Sequence, residues 1–140
     1  MANSLEQQIV SEGPRNVIVK LTGILDTSDI TQLPAINISS FTTNEPRTMG
    51  VLSGFRVDSV EWSMSKDLEV QLFWDSNTPQ QILPLAGRGE ICATKYGGLC
   101  PDQTKSGYSG NINLVTNGYV GGSVQNFSIV LELVKLYKQS

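Results

Sequence analysis

FRVDSVEWSMSKDLEVQLFW, residues Phe55 to Trp74, reads as β-structure throughout. Two runs rich in Val, Leu, Phe and Trp are separated by the polar Ser65-Lys66-Asp67, the layout of a long β-hairpin. In the second run Leu68, Val70, Leu72 and Trp74 share one face while Glu69 and Gln71 share the other, a period of two that no helix can use. In the first run Val60, Trp62 and Met64 lie on one parity, whereas Phe55 and Val57 lie on the opposite one. One extra residue resets the alternation, so a β-bulge near Asp58 and Ser59 would turn both sets inward.

The flanking sequence supplies more strands. Arg15 to Leu25 alternates, with Val17, Val19 and Leu21 on one face, and Ala35 to Phe41 predicts a short strand that places Ile36 and Ile38 together. Asp26, Thr27 and Ser28 could start a single helical turn. Gln81 to Leu85 predicts a strand whose Pro84 argues for an edge or a strand end. Ala86 to Gln103, punctuated by Gly87, Gly89, Gly97, Gly98 and Pro101, reads as a loop. Gly110 to Thr116 is again a strand, with Ile112 and Leu114 inward and Asn111 and Asn113 outward. Val124 to Tyr137 is apolar on both faces, which predicts a central strand or one covered by a partner. Seven to nine strands with long connections favour an all-β, two-sheet antiparallel sandwich of jelly-roll type over a meander.

Composition narrows the chemistry. The 140 residues suffice for one domain with its own core, here residues 15–140 as a β-sandwich preceded by an extended N-terminal arm over 1–14. The arm is polar apart from Met1, Leu5, Ile9 and Val10; it either rests on a neighbouring subunit or pairs as an edge strand of its own sheet. Only 16% of residues are charged, and the ten Lys and Arg are scattered at a net charge of −3. With no basic stripe, nucleic acid is not an expected partner. No apolar run is long enough to span a bilayer and the first residues lack a signal-peptide pattern, so synthesis in a cytoplasm without membrane association is expected.

Histidine is absent, which excludes Ser-His-Asp and Cys-His nucleophiles and HExxH zinc sites. Cys92 and Cys100 enclose ATKYGGL and read as two reduced, partly buried thiols in a cytosolic setting. The glycine loop has no GxxxxGK[ST] or GxGxxG, so no phosphate cradle is expected. Asp26, Asp29, Asp75, Ser76 and Asn77 lack the order of a calcium loop. A carboxylate hydrolase would need Asp75, Glu90 or Asp102 to converge in a cleft. Catalytic residues, cofactor and metal are therefore all expected to be none. Arg88 and Glu90, flanking Gly89, can pair with each other or with a neighbouring subunit. Trp62 and Trp74 fall on the apolar parity and are assigned to the core, leaving Tyr96, Tyr108 and Tyr119 for a sugar-binding platform or a protein interface. The interface candidates are thus Leu5, Ile9, Val10, Arg88, Glu90, Tyr96 and Tyr108.

VEWS at Val60 to Ser63, Trp74-Asp75, LAGRGE at Leu85 to Glu90, YGGL at Tyr96 to Leu99, GNINLVTNG at Gly110 to Gly118 and SIVLELVK at Ser128 to Lys135 together resemble small virion structural proteins of tailed bacteriophages. These are proteins that decorate or cement the capsid. The resemblance covers a little over half the chain, and residues 1–54 contribute little to it. It implies a jelly-roll-like, non-enzymatic subunit on the capsid surface, a homotrimer touching several copies of the major capsid protein. The competing expectation is a carbohydrate-binding or host-adhesion module of a tail or fibre, in which Tyr96, Tyr108 and Tyr119 would cluster at one exposed loop end.

Overall fold

The computed structural model describes residues 3–13, 15–41, 51–122 and 124–138. Their strands are β1 (Ser4–Glu12), β2 (Asn16–Leu25), β3 (Leu33–Ile36), β4 (Val51–Met64), β5 (Glu69–Trp74), β6 (Gln80–Ala86), β7 (Arg88–Cys92), β8 (Ile112–Asn117) and β9 (Gln125–Lys138). Short 3-10 turns occupy Ile38–Ser40 and Ala93–Tyr96. A five-stranded antiparallel sheet in the order β1-β2-β9-β4-β7 packs against a four-stranded one in the order β3-β8-β5-β6. The expected two-sheet sandwich is what the chain forms.

Alternation explains the packing. Val17, Val19, Leu21 and Leu25 of β2 are fully buried while Asn16, Lys20 and Ile24 are exposed. In β4 the register against β9 slips between Val57 and Ser59, leaving Asp58 as the extra residue. Phe55, Val57 and Val60 are consequently all buried, as the predicted bulge requires. Strand β9 runs between β2 and β4 and sends Ile129, Leu131 and Leu133 into the core. From the other sheet Leu72, Leu114 and Ile112 meet them, and the rings of Phe41 and Phe55 make an edge contact at 5.1 Å. Each such side chain contributes about 1.5–3 kcal/mol by leaving water.

Several expectations fail for identifiable reasons. The Phe55 to Trp74 stretch is not a hairpin: β4 and β5 lie in different sheets. Ser65 to Leu68 is a corner between them, closed by the Leu68 amide on the Ser65 carbonyl at 3.2 Å, with Asp67 at φ 67°. A four-residue turn serves either purpose, and alternation alone does not say which sheet a strand joins. Inside the supposed glycine loop, Arg88–Cys92 is a strand that pairs with Ser59 to Ser63. The third strand ends at Ile36, and Ile38 begins a 3-10 turn capped by the Asn37 side chain. Asp26, Thr27 and Ser28 form bends rather than helix, their amides and carbonyl engaged in part by the Asn3 side chain. Asn113 is buried, not outward to solvent, because its amide donates to Asp75 at 3.0 Å.

The connections gather at the two ends of the sandwich. At one end Asp29 accepts from the Thr116 hydroxyl at 3.1 Å and the Tyr119 amide at 3.0 Å, while the buried Gln125 side chain accepts from the Val120 amide at 2.8 Å. At the other end Asp75 accepts from Ser109 at 2.6 Å, and Gln80 and Asp102 exchange two side-chain-to-backbone bonds. The arm is the edge strand β1, paired along β2 from Ser4↔Ile24 to Glu12↔Val17. Its last residue turns inward: Glu12 meets the Lys135 ammonium at 2.7 Å, and that lysine side chain is only 1% exposed.

Candidate functional site

The outer face of the five-stranded sheet carries an open concave surface. Strand pairing sets Glu61 opposite Glu90, Ser63 opposite both Arg88 and Ser128, and Glu61 opposite Val130. These six residues, with Trp62 and Gly89, line an open groove of about 550 Å³. A second depression of about 460 Å³ shares Ser63 and Ser128 and continues towards β2 through Thr22, Ile24 and Asn126. Hydroxyls and an amide dominate the middle, and the charges in the lining, Glu61, Arg88 and Glu90, lie where β4 meets β7.

That margin has an unusual charge pattern. Glu61 and Glu90 are like charges directly across a strand pair, an arrangement that costs a few tenths of a kcal/mol to about 1 kcal/mol. Arg88 is the diagonal neighbour of Glu61 and lies two residues from Glu90 along the same face. All three are exposed, so they are available to a partner surface. The groove is open to water along its length, and its lining offers two serine hydroxyls, a guanidinium and two hydrated carboxylates.

The remaining interface candidates scatter. Leu5 is half-buried against the core, whereas Ile9 and Val10 are 38% and 54% exposed on the free edge strand. Tyr96, the last residue of the 3-10 turn that follows β7, is 72% exposed. Tyr108 turns inward: its hydroxyl is buried without a hydrogen-bond partner, held over Gly54, where a Cβ would collide with it. Tyr119 packs on the core next to Asp29, at the opposite end of β4 from Gly54. Some ten residues of extended chain, roughly 30 Å, separate the two ends, so the three tyrosines do not form one platform. Trp74 is in the core as expected, but Trp62 is half-buried and donates its indole N–H to the Ala86 carbonyl at 2.9 Å.

The acids do not converge either. Asp75 is taken up by Ser109 and Asn113, and Asp102 by the Thr104 hydroxyl and amide, which hold its carboxyl below the usual range. Glu90 faces Glu61 on the open sheet. Among the described residues no group of three or more Cys, Asp or Glu could hold a metal ion, and no helix is long and apolar enough to cross a membrane. Cys92 and Cys100 are free and both exposed, more so than the partly buried thiols expected; Cys92 Sγ lies 3.0 Å from the Thr94 hydroxyl. Asp58 holds the Arg56 guanidinium at 2.7 Å and raises its pKa.

No family model matches this chain, nor does any curated protein or solved structure. The residues of the groove that sequence reasoning passed over, Glu61, Ser63, Ser128 and Val130, follow from period-two reading of β4 and β9 once their pairing is known.

Tyr108 yields a pH prediction. Burial pushes its hydroxyl up to about 12 from 10.0, so the folded chain keeps a proton that the unfolded chain releases. The stabilising contribution is complete below pH 10 and is lost as pH climbs through 12. Tyr108→Phe should remove this alkaline sensitivity and, because it deletes an unpartnered buried hydroxyl, leave stability at neutral pH unchanged or raise it by up to about 1 kcal/mol. Urea unfolding at neutral pH and at pH 11 measures both effects.

Proposed function

We propose that this chain is a non-enzymatic structural protein of a tailed-phage virion, a cement or decoration protein that binds the major capsid protein. Four strand pairs nest one inside the next, β2 with β9, β3 with β8, β4 with β7 and β5 with β6. We read this nesting, as in a long hairpin wrapped around a barrel, as a jelly roll. The segments that resemble the virion proteins sit on this frame at β4, the end of β5, the β6–β7 turn, the turn after β7, β8 and β9.

The observation that carries the proposal is the groove on the outer face of β9, β4 and β7: wide and open, with neutral Ser63, Ser128 and Val130 in its lining and the exposed charges Glu61, Arg88 and Glu90 along its β7 side. Such a face suits a broad protein contact better than a small ligand, which takes a concave and mostly apolar pocket. A contact repeated at every symmetry position of a shell adds many modest interactions and opposes the separation of capsid subunits. The dispersal of the tyrosines and the absence of a water-excluding cleft among the acids remove support from the glycan-binding and hydrolase alternatives.

The test uses expanded shells of the major capsid protein encoded in the same genome. Added protein should sediment with the shells and raise their rupture temperature. Arg88→Glu should lower occupancy while changing the free protein's stability by no more than about 0.5 kcal/mol, as befits an exposed site. Equal rupture temperatures with and without the protein would reject the proposal.

A further inference from the structure

We infer that β1 is a self-recognition edge: two copies of this chain join antiparallel through β1 about a two-fold axis at Gln7, fusing their five-stranded sheets. The inference stands independently of the capsid reading. Strand β1 is nine residues long, pairs among the described residues with β2 alone, and is exposed along nearly its whole length on both faces. It carries Ile9 and Val10 into solvent and has no proline or lysine to blunt the edge; a bulge at Val10 confines the regular stretch to Ser4–Ile9.

Symmetry and pleat restrict how this strand can meet itself. Backbone groups that point away from β2 must face their equivalents, and inward side chains must face inward side chains. Only a dyad passing through a residue satisfies both conditions. An axis at Glu6 would set that carboxylate against its own copy and Leu5 against the partner's Gln7. An axis at Gln8 would set Gln7 against the partner's Ile9 and carry Glu6 and Leu5 onto the partner's bulge at Val10. The axis at Gln7 sets Leu5 against the partner's Ile9 twice, Glu6 against the partner's Gln8 twice, and amide against amide at the centre. Of these three registers, this one alone sets apolar against apolar with no charge against like charge, and it pairs more of the regular strand than an axis at Leu5 would.

Such an isologous contact closes with two copies, whereas the virion resemblance implies three. Light scattering at micromolar concentrations should therefore give twice the 15.2 kDa chain mass, and a monomer or a trimer would overturn the inference. Gln7→Glu, which places carboxylate against carboxylate only across this dyad, should weaken the dimer several-fold without changing the far-ultraviolet spectrum. In a Cys92→Ser, Cys100→Ser background, Gln7→Cys should form an interchain disulfide under mild oxidation, because residues paired across the axis have Cα atoms about 4.5–5.5 Å apart. Gln8→Cys, opposite the partner's Glu6, should cross-link far more slowly. Equal cross-linking at the two positions, or none at Gln7→Cys, would contradict the register.

Discussion

Replacing Glu12 with alanine is expected to destabilise the chain by about 3 kcal/mol, a fall in Tm of roughly 10 °C. Lys135 is the reason. Its side chain sits on the inward face of β9 at 1% exposure, beyond Leu133, with the Glu12 carboxylate at 2.7 Å. Removing that carboxylate takes a close counter-charge away from an ammonium in a site that water barely reaches, and a desolvated charge is costly to weaken in this way. Glu12 itself is 22% exposed, which places the effect at the lower end of the range for buried pairs. The double variant Glu12→Leu with Lys135→Met should recover most of the loss, because an apolar pair of similar volume needs no such compensation. Thermal unfolding of the single and double variants gives the coupling directly. The pair joins positions 123 apart in sequence and fastens β1 to the last strand.

Gly118→Ala should be nearly as damaging, costing roughly 2–5 kcal/mol. Gly118 lies in the β8–β9 turn at φ +92°, and a Cβ there would stand 2.0 Å from the carbonyl oxygen of Asp67. Left-handed backbone costs a non-glycine residue on the order of 1–3 kcal/mol, and a collision with backbone rather than a pliable side chain adds a similar amount. The two corners that close this end of the sandwich rest on each other at that point, so neither can retreat without disturbing its strand. Gly121→Ala supplies the control. Its Cβ would meet open space, and the change should stay within about 0.5 kcal/mol in urea unfolding.

Legibility in the sequence follows a physical divide. Side-chain alternation reports burial, so Val17, Val19 and Leu21, the bulge at Asp58 and the central position of β9 could all be read from local pattern. Pairing is non-local. Nothing in Ser65 to Leu68 distinguishes a hairpin turn from a corner between sheets, and the RGEIC strand is too short and too polar to stand out from its glycines. Tyr108 reads as an exposed loop tyrosine, yet it folds over Gly54 because a glycine more than fifty positions away leaves room for its hydroxyl. Of the candidate surface, Arg88 and Glu90 were visible as charges beside a turn. Their neighbours across the sheet, Glu61 and Val130, became neighbours only through register.

In the proposed role one sheet face lies on adjoining subunits and function comes from register, since pairing is what assembles Glu61, Ser63, Arg88, Glu90, Ser128 and Val130 into one surface. Strand β7 is the sensitive reporter, being the short outer edge of that face. Half of an edge strand's amides point away from its neighbour and exchange freely unless something covers them. Hydrogen exchange of the protein, free and bound to expanded capsid shells, is the decisive measurement. Slowed exchange over Arg88 to Cys92 in the bound state is predicted, and β7 amides exchanging equally fast in both states would contradict a role as a capsid fastener.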